Sequence, residues 1–163
     1  MLDGTSIWAY SSESLLKNLI FVSTIGSLLC AQMTKGVIYI LNGYRAKKRE
    51  LVTVFVWRTG GMPSSHAAVV SALCASVFFV EGLLSNLFIF SVCFALLVLR
   101  DAMGVRRLTG QLAERLNNLG KQVSEKTGLD FRPVKEIQGH TPLEVVIGVI
   151  LGVVVTVALR LFL

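Results

Sequence analysis

Residues 143–163 read LEVVIGVILGVVVTVALRLFL. Charge appears only at Glu144, near one end, and at Arg160, near the other. A helix that crosses a bilayer needs about 20 mostly apolar residues, and this stretch supplies them. Two more runs qualify. One is Leu19–Leu41, with Gln32 and Lys35 near its far end. The other is Ala67–Leu84, whose only charge is Glu81. A fourth run, Leu87–Leu99, has 13 residues. At 1.5 Å per residue it covers about 20 Å, short of a hydrocarbon layer of roughly 30 Å. That helix is therefore extended through Arg100-Asp101-Ala102-Met103-Gly104-Val105. The extension sets an arginine and an aspartate at the membrane boundary.

The rest of the chain agrees. Of 163 residues, 53% are hydrophobic and 16% charged, and the mean hydropathy is +0.68. Soluble domains carry about 25% charged residues. The expected fold is an all-α integral membrane bundle: one domain with about four transmembrane helices plus a cytoplasmic amphipathic helix. Cys30, Cys74 and Cys93 lie in apolar runs without a CxxC spacing, and are read as small packing residues. Residues 1–14 are polar and lack the basic opening of a secretory signal, so the first apolar segment is expected to be retained.

Thirteen of the sixteen basic residues fall in two places. The first holds Arg45, Lys47, Lys48, Arg49 and Arg58, and the second runs from Arg100 to Lys135. The turn at Ser85-Asn86 has none. The positive-inside rule puts both basic stretches in the cytoplasm and both termini outside, as in a bacterial cytoplasmic membrane. The net charge of +6 thus sets orientation and does not point to nucleic acid. Within the second stretch Leu108, Leu112, Leu116, Leu119 and Val123 recur within an arc of about 80°. Residues 109–126 are expected to form the amphipathic helix, ending near Gly128. It either lies on the membrane surface or packs against its own protein.

Four sequence features carry possible chemistry. Gly60-Gly61-Met62-Pro63-Ser64-Ser65-His66 has two glycines that let backbone approach a ligand. Its proline favours a helix start near Ser64, where unpaired amides attract an anion. The plainer reading is a loop and a capped helix. Gly139-His140-Thr141-Pro142-Leu143-Glu144 fits a capping box, with Pro142 at the first helical position. Alternatively, Glu144 fixes the His140 tautomer and frees its other nitrogen to attack. One carboxylate is expected to choose between these duties. In Arg100-Asp101-Ala102-Met103-Gly104-Val105-Arg106-Arg107, the arginines either grip phosphate or pair with Asp101. Lys35 either snorkels to the headgroups or enters the same basin. Two histidines, an anion loop and several cations at one membrane face suit phosphoryl transfer through a phosphohistidine. No acidic cluster suggests a metal.

These motifs resemble the type 2 phosphatidic acid phosphatase and vanadium haloperoxidase superfamily, above all its divergent small membrane branch. The superfamily's Pro-Ser-Gly-His is matched by Pro63-Ser64-Ser65-His66, with serine for glycine. Its histidine, three residues, aspartate and spaced glycines are matched by His140 to Glu144 with Gly148 and Gly152, glutamate replacing aspartate. The superfamily's arginine six residues before that histidine is absent: Val134 stands there, and Arg132 lies eight before. The divergent branch's Asp-Ala-x-Gly-Val-Arg-Arg is matched by Asp101 to Arg107, and its Gln-x-x-Lys by Gln32 to Lys35. No Arg-Pro follows Lys35.

The resemblance implies a membrane phosphatase for a lipid phosphomonoester or diphosphate. His140 would be the nucleophile, His66 the acid and Glu144 the orienting group. Lys35, Ser64, Ser65, Arg106 and Arg107 would bind phosphate, supported by Gln32, Gly60, Gly61 and Asp101. No metal or cofactor is expected, and vanadate would inhibit as a phosphate mimic. Oxidative chemistry on vanadate fits a membrane-embedded chain poorly. The competing reading is a non-catalytic membrane module whose basic face binds anionic headgroups or a partner protein.

Overall fold

A computed structural model of the chain describes residues 15–41, 61–136 and 139–163. The polar N-terminal segment, Gly60 and the basic stretch from Arg45 to Arg58 lie outside the described residues. The described elements are all helical: α1 (Leu19–Leu41), α2 (Ser65–Glu81), α3 (Asn86–Met103), α4 (Val105–Thr127) and α5 (Pro142–Phe162). Three stretches are long and apolar enough to cross a membrane: α1, α5 and residues 86–127, whose apolar part is α3. The helix starts follow local chemistry. Ser64, Ser85 and Thr141 cap α2, α3 and α5 by accepting the amides of Ala67, Phe88 and Glu144.

Four boundaries differ from the sequence expectation. α2 starts at Ser65 and stops at Glu81, because Gly82 turns the chain at a φ of 85°. Its 17 residues span about 25 Å, less than a full hydrocarbon layer. α3 does not continue through Val105. It ends at Met103, and the Gly104 amide closes the last turn on the Arg100 carbonyl. α4 accordingly begins at Val105, not near 109, which puts Arg106 and Arg107 in its first turn. α4 ends at Gly128, whose φ of 72° is the left-handed cap that glycine adopts most readily.

α2 is the hub and packs against α1, α3 and α5; α1 also packs on α5. Most buried positions are small, among them Ser23, Ser27 and Ala31 on α1, Ala67, Ala68, Ala72 and Ser76 on α2, and Ser91 and Ala95 on α3. Large apolar residues such as Leu29, Phe90, Leu97 and Ile150 face outward. Such a bundle suits a solvent as apolar as leucine, where close backbone packing holds helices together. Gly148 and Gly152 bring α5 against α2. A Cβ on Gly148 would stand 2.4 Å from the Ser64 carbonyl oxygen, and one on Gly152 would stand 2.2 Å from that of Ala68. Two hydroxyls tie the same pair together: Ser71 donates to the Val149 carbonyl at 3.1 Å and Thr156 to that of Ala72 at 3.4 Å. Interhelical bonds of this kind contribute about 0.6 kcal/mol each in membranes. Farther along, the Arg160 guanidinium sits 4.1 Å over the Phe79 ring.

Of the cysteines, Cys30 and Cys93 are exposed on the outside of the bundle. Only half-buried Cys74 is partly enclosed by packing, which corrects the expectation that all three would be. Among the described helices α4 packs only against α3. None of its residues is buried, and its leucine stripe is exposed.

Candidate active site

The site forms where the N-terminal ends of α2 and α5 meet the α3–α4 junction. Two backbone bonds hold this corner. The Ser64 amide donates to the Glu144 carbonyl at 3.0 Å, and the His140 amide donates to the Ala102 carbonyl at 3.2 Å. Gly139 lies close against α4, where a Cβ would fall 2.4 Å from the Arg107 Cα. These anchors join segments far apart in sequence. Motif reading missed them; Gly139 immediately before His140 was the one local sign.

The imidazoles of His66 and His140 come together, with ring centroids 6.1 Å apart and an edge-on angle of 60°. His140 is 3% exposed. Its Nδ1 lies 3.0 Å from Glu144 Oε2, which leaves Nε2 as the nitrogen available for chemistry. The same Oε2 accepts the Thr141 amide at 3.2 Å, while Thr141 Oγ1 accepts the Glu144 amide. The expectation that Glu144 must choose between cap and histidine is therefore corrected. His140 immediately precedes the N-cap, so one oxygen reaches both groups.

Lys35 enters the site. It is 4% exposed, and its Nζ donates to Ser65 Oγ at 3.2 Å. Burial at this level excludes the snorkelling reading. Gln32, one turn earlier on α1, has a buried Oε1 with no hydrogen-bond partner among the described residues, as does His66 Nδ1. Ser64 Oγ caps α2 at 3.3 Å from the Ala67 amide. A hydroxyl that accepts still has its proton to donate.

Arg106 Nε pairs with Asp101 Oδ2 at 2.8 Å, with both side chains nearly half exposed. The pairing uses the Nε side of the guanidinium and leaves the two Nη groups as a fork. Arg107 lines a neighbouring cavity of about 400 Å³ with Gly61, Glu114, Glu136 and Glu144. Gly61 has a φ of 79°, a backbone conformation that disfavours other residues. Among the described residues no three His, Cys, Asp or Glu side chains gather as a metal-holding group.

The chain is a helical membrane protein of the PAP2 superfamily, as its family match shows. Residues 16–155 match the Divergent PAP2 family, and the chain belongs to that family. It is also similar to the uncharacterized membrane protein YuiD of Bacillus subtilis (strain 168). The two are 36% identical over 161 residues, covering 91% of this chain and 98% of that one. No solved structure matches the chain.

Proposed function

We propose that the protein is a metal-independent membrane phosphatase acting on a lipid phosphomonoester or diphosphate. The observation that carries this reading is the facing pair of imidazoles, one held by a carboxylate. His140 Nε2 attacks phosphorus, the bond from phosphorus to the leaving oxygen breaks, and His66 gives that oxygen a proton. Glu144 stabilises the positive imidazole that results. In the second step His66 takes a proton from water, whose oxygen displaces His140 from phosphorus. Lys35, the Arg106 fork and Arg107, with the Ser64 and Ser65 hydroxyls, neutralise the phosphoryl oxygens.

The pocket faces the cytoplasm. In support, the basic stretch from Arg106 to Lys135 lies at the same end of the bundle as both histidines, and the uncharged Ser85 turn at the other. α4 lies along the membrane surface, its exposed leucine stripe in the acyl boundary and its basic face outward.

The test is phosphate release from a panel of lipid phosphates by purified wild type, His66→Ala and His140→Ala. His140→Ala is expected to abolish turnover, and His66→Ala to lower it at least a hundredfold for a poor leaving group. Near wild-type release by His140→Ala would refute the nucleophile. Headgroup binding that survives in both variants, with no release by any of the three proteins, would favour a binding module.

A further inference from the structure

After Gly128 the chain forms no further helix until Pro142, and residues 129–136 double back along α4. Three attachments descend the helix as the returning chain advances. Ser124 Oγ donates to the Leu129 carbonyl at 2.6 Å. Phe131 lies on Gly120, where a Cβ would fall 2.3 Å from its ring. Asn117 then takes hold of Val134 twice. Its Oδ1 accepts the Val134 amide at 2.8 Å, and its Nδ2 donates to the Val134 carbonyl at 2.9 Å. The same Nδ2 donates to Glu136 Oε1 at 2.8 Å. A carboxamide offers one acceptor and two donors side by side, which neither a hydroxyl nor a carboxylate can do. At 100° per residue Asn117 stands about 140° from the centre of the leucine stripe, so the returning chain leaves the stripe open.

The returning chain leads to His140. Gly139 lies against the Arg107 backbone, and the His140 amide donates to the Ala102 carbonyl. From Asn117 to Arg107 is about 15 Å of helix. From Val134 to Gly139 the chain reaches at most about 18 Å. The Asn117 clip therefore allows at most about 3 Å of slack before Gly139. Without it the preceding hold is Phe131 on Gly120. From there the chain reaches about 29 Å against about 20 Å of helix, and the slack grows to about 9 Å. Glu144 and Ala102 hold His140 from α5 and α3, but neither restrains the chain that enters from its N-terminal side.

We propose that Asn117 is a positioning residue for His140: by clipping residues 134 and 136 to α4, it fixes the approach of the chain that sets the imidazole opposite His66. The proposal rests on the phosphatase reading above for its kinetic effect alone. A misplacement of about 1 Å can cost on the order of a hundredfold in rate, and the two remaining holds on His140 reduce the expected loss to about tenfold.

The test uses the full-length protein in lipid nanodiscs, as wild type, Asn117→Ala, Asn117→Asp and Ser124→Ala. Amide hydrogen exchange is followed over residues 139–141 and in the interiors of α2 and α5, beside kcat and KM for phosphate release. In Asn117→Ala, exchange at 139–141 is expected to rise about tenfold or more, with α2, α5 and the thermal midpoint as in wild type. Its kcat is expected to fall about tenfold and its KM to change less than about twofold, because Lys35 and Arg106 are held independently of the returning chain. Asn117→Asp keeps an acceptor for the Val134 amide but meets Glu136 with a like charge, and is expected to act in the same direction. Ser124→Ala frees the chain only ahead of the clip and is expected to match wild type. Wild-type exchange at 139–141 with wild-type kcat in both Asn117 variants would overturn the proposal. So would an equal loss of kcat in Ser124→Ala, which would show that the returning chain contributes stability alone. The expected exchange pattern without phosphate release by any of the proteins would refute the enzyme reading and leave the placement of His140 standing.

Discussion

Replacing Gly148 by alanine adds one methyl group, and the structure says where it would go. The new Cβ would stand 2.4 Å from the Ser64 carbonyl oxygen and 2.9 Å from Ala67 Cβ. Non-bonded Cβ contacts essentially never fall below 3.0 Å, and ordinary contact begins near 3.4 Å. The α5 backbone must therefore move off the start of α2 by about 0.6 to 1.0 Å, and overpacking of this kind costs about 1–3 kcal/mol. The displaced carbonyl belongs to Ser64, two residues before His66 and bonded through its own amide to Glu144. The movement thus separates the start of α2, which carries His66, from the start of α5, which His140 immediately precedes. A misplacement of about 1 Å in a reacting geometry can cost on the order of a hundredfold in rate. The assay is kcat/KM for phosphate release together with the thermal midpoint in detergent. The expected result is a drop of at least thirtyfold in kcat/KM with a lowered midpoint. Gly26→Ala is the control, because its Cβ would meet Leu159 at an ordinary 3.4 Å. Wild-type activity and midpoint in Gly148→Ala would refute the claim that this contact sets the site.

Three further outcomes follow from the same corner. Glu144→Gln keeps an oxygen to accept the Thr141 amide but removes the negative charge beside His140. Its kcat is expected to fall more than a hundredfold with a stability loss of about 1 kcal/mol or less; circular dichroism melts and initial rates measure the two separately. Gly139→Ala would drive a methyl into the Arg107 backbone, so KM should rise more than kcat falls, and unchanged Michaelis constants would show that α4 does not help to hold phosphate. For orientation, cysteine at Asn86 should react with an impermeant maleimide added to intact cells, and cysteine at Lys121 should not. The opposite pattern would reverse the proposed topology.

Much of the fold could be read directly from residue lengths. α1 spans Leu19–Leu41, the stretch the apolar run defines, because a membrane span is a one-dimensional requirement on hydrophobic length. The caps at Ser64 and Thr141 were legible for the same local reason, since each pairs with an amide three residues on. The break at Gly104 was not. An apolar count runs smoothly into Asp101 and Val105 and gives no reason to stop, so Arg106 and Arg107 were placed after a longer helix rather than at the start of a new one.

The site divides along the same line. Sequence alone determined which side chains carry acid, base and positive charge, and which helix ends bear them, because those properties belong to residues and their near neighbours. Only the tertiary structure decided that His66 and His140 stand 6.1 Å apart, that Lys35 is buried against Ser65, and that one Glu144 oxygen serves both the cap and the histidine. It also decided that an apolar groove opens along α2 between α3 and α5. The physical reason is that such distances depend on how closely backbones approach. That approach is governed by single missing methyl groups, at Gly139, Gly148 and Gly152, meeting carbonyls and backbone tens of residues away in sequence.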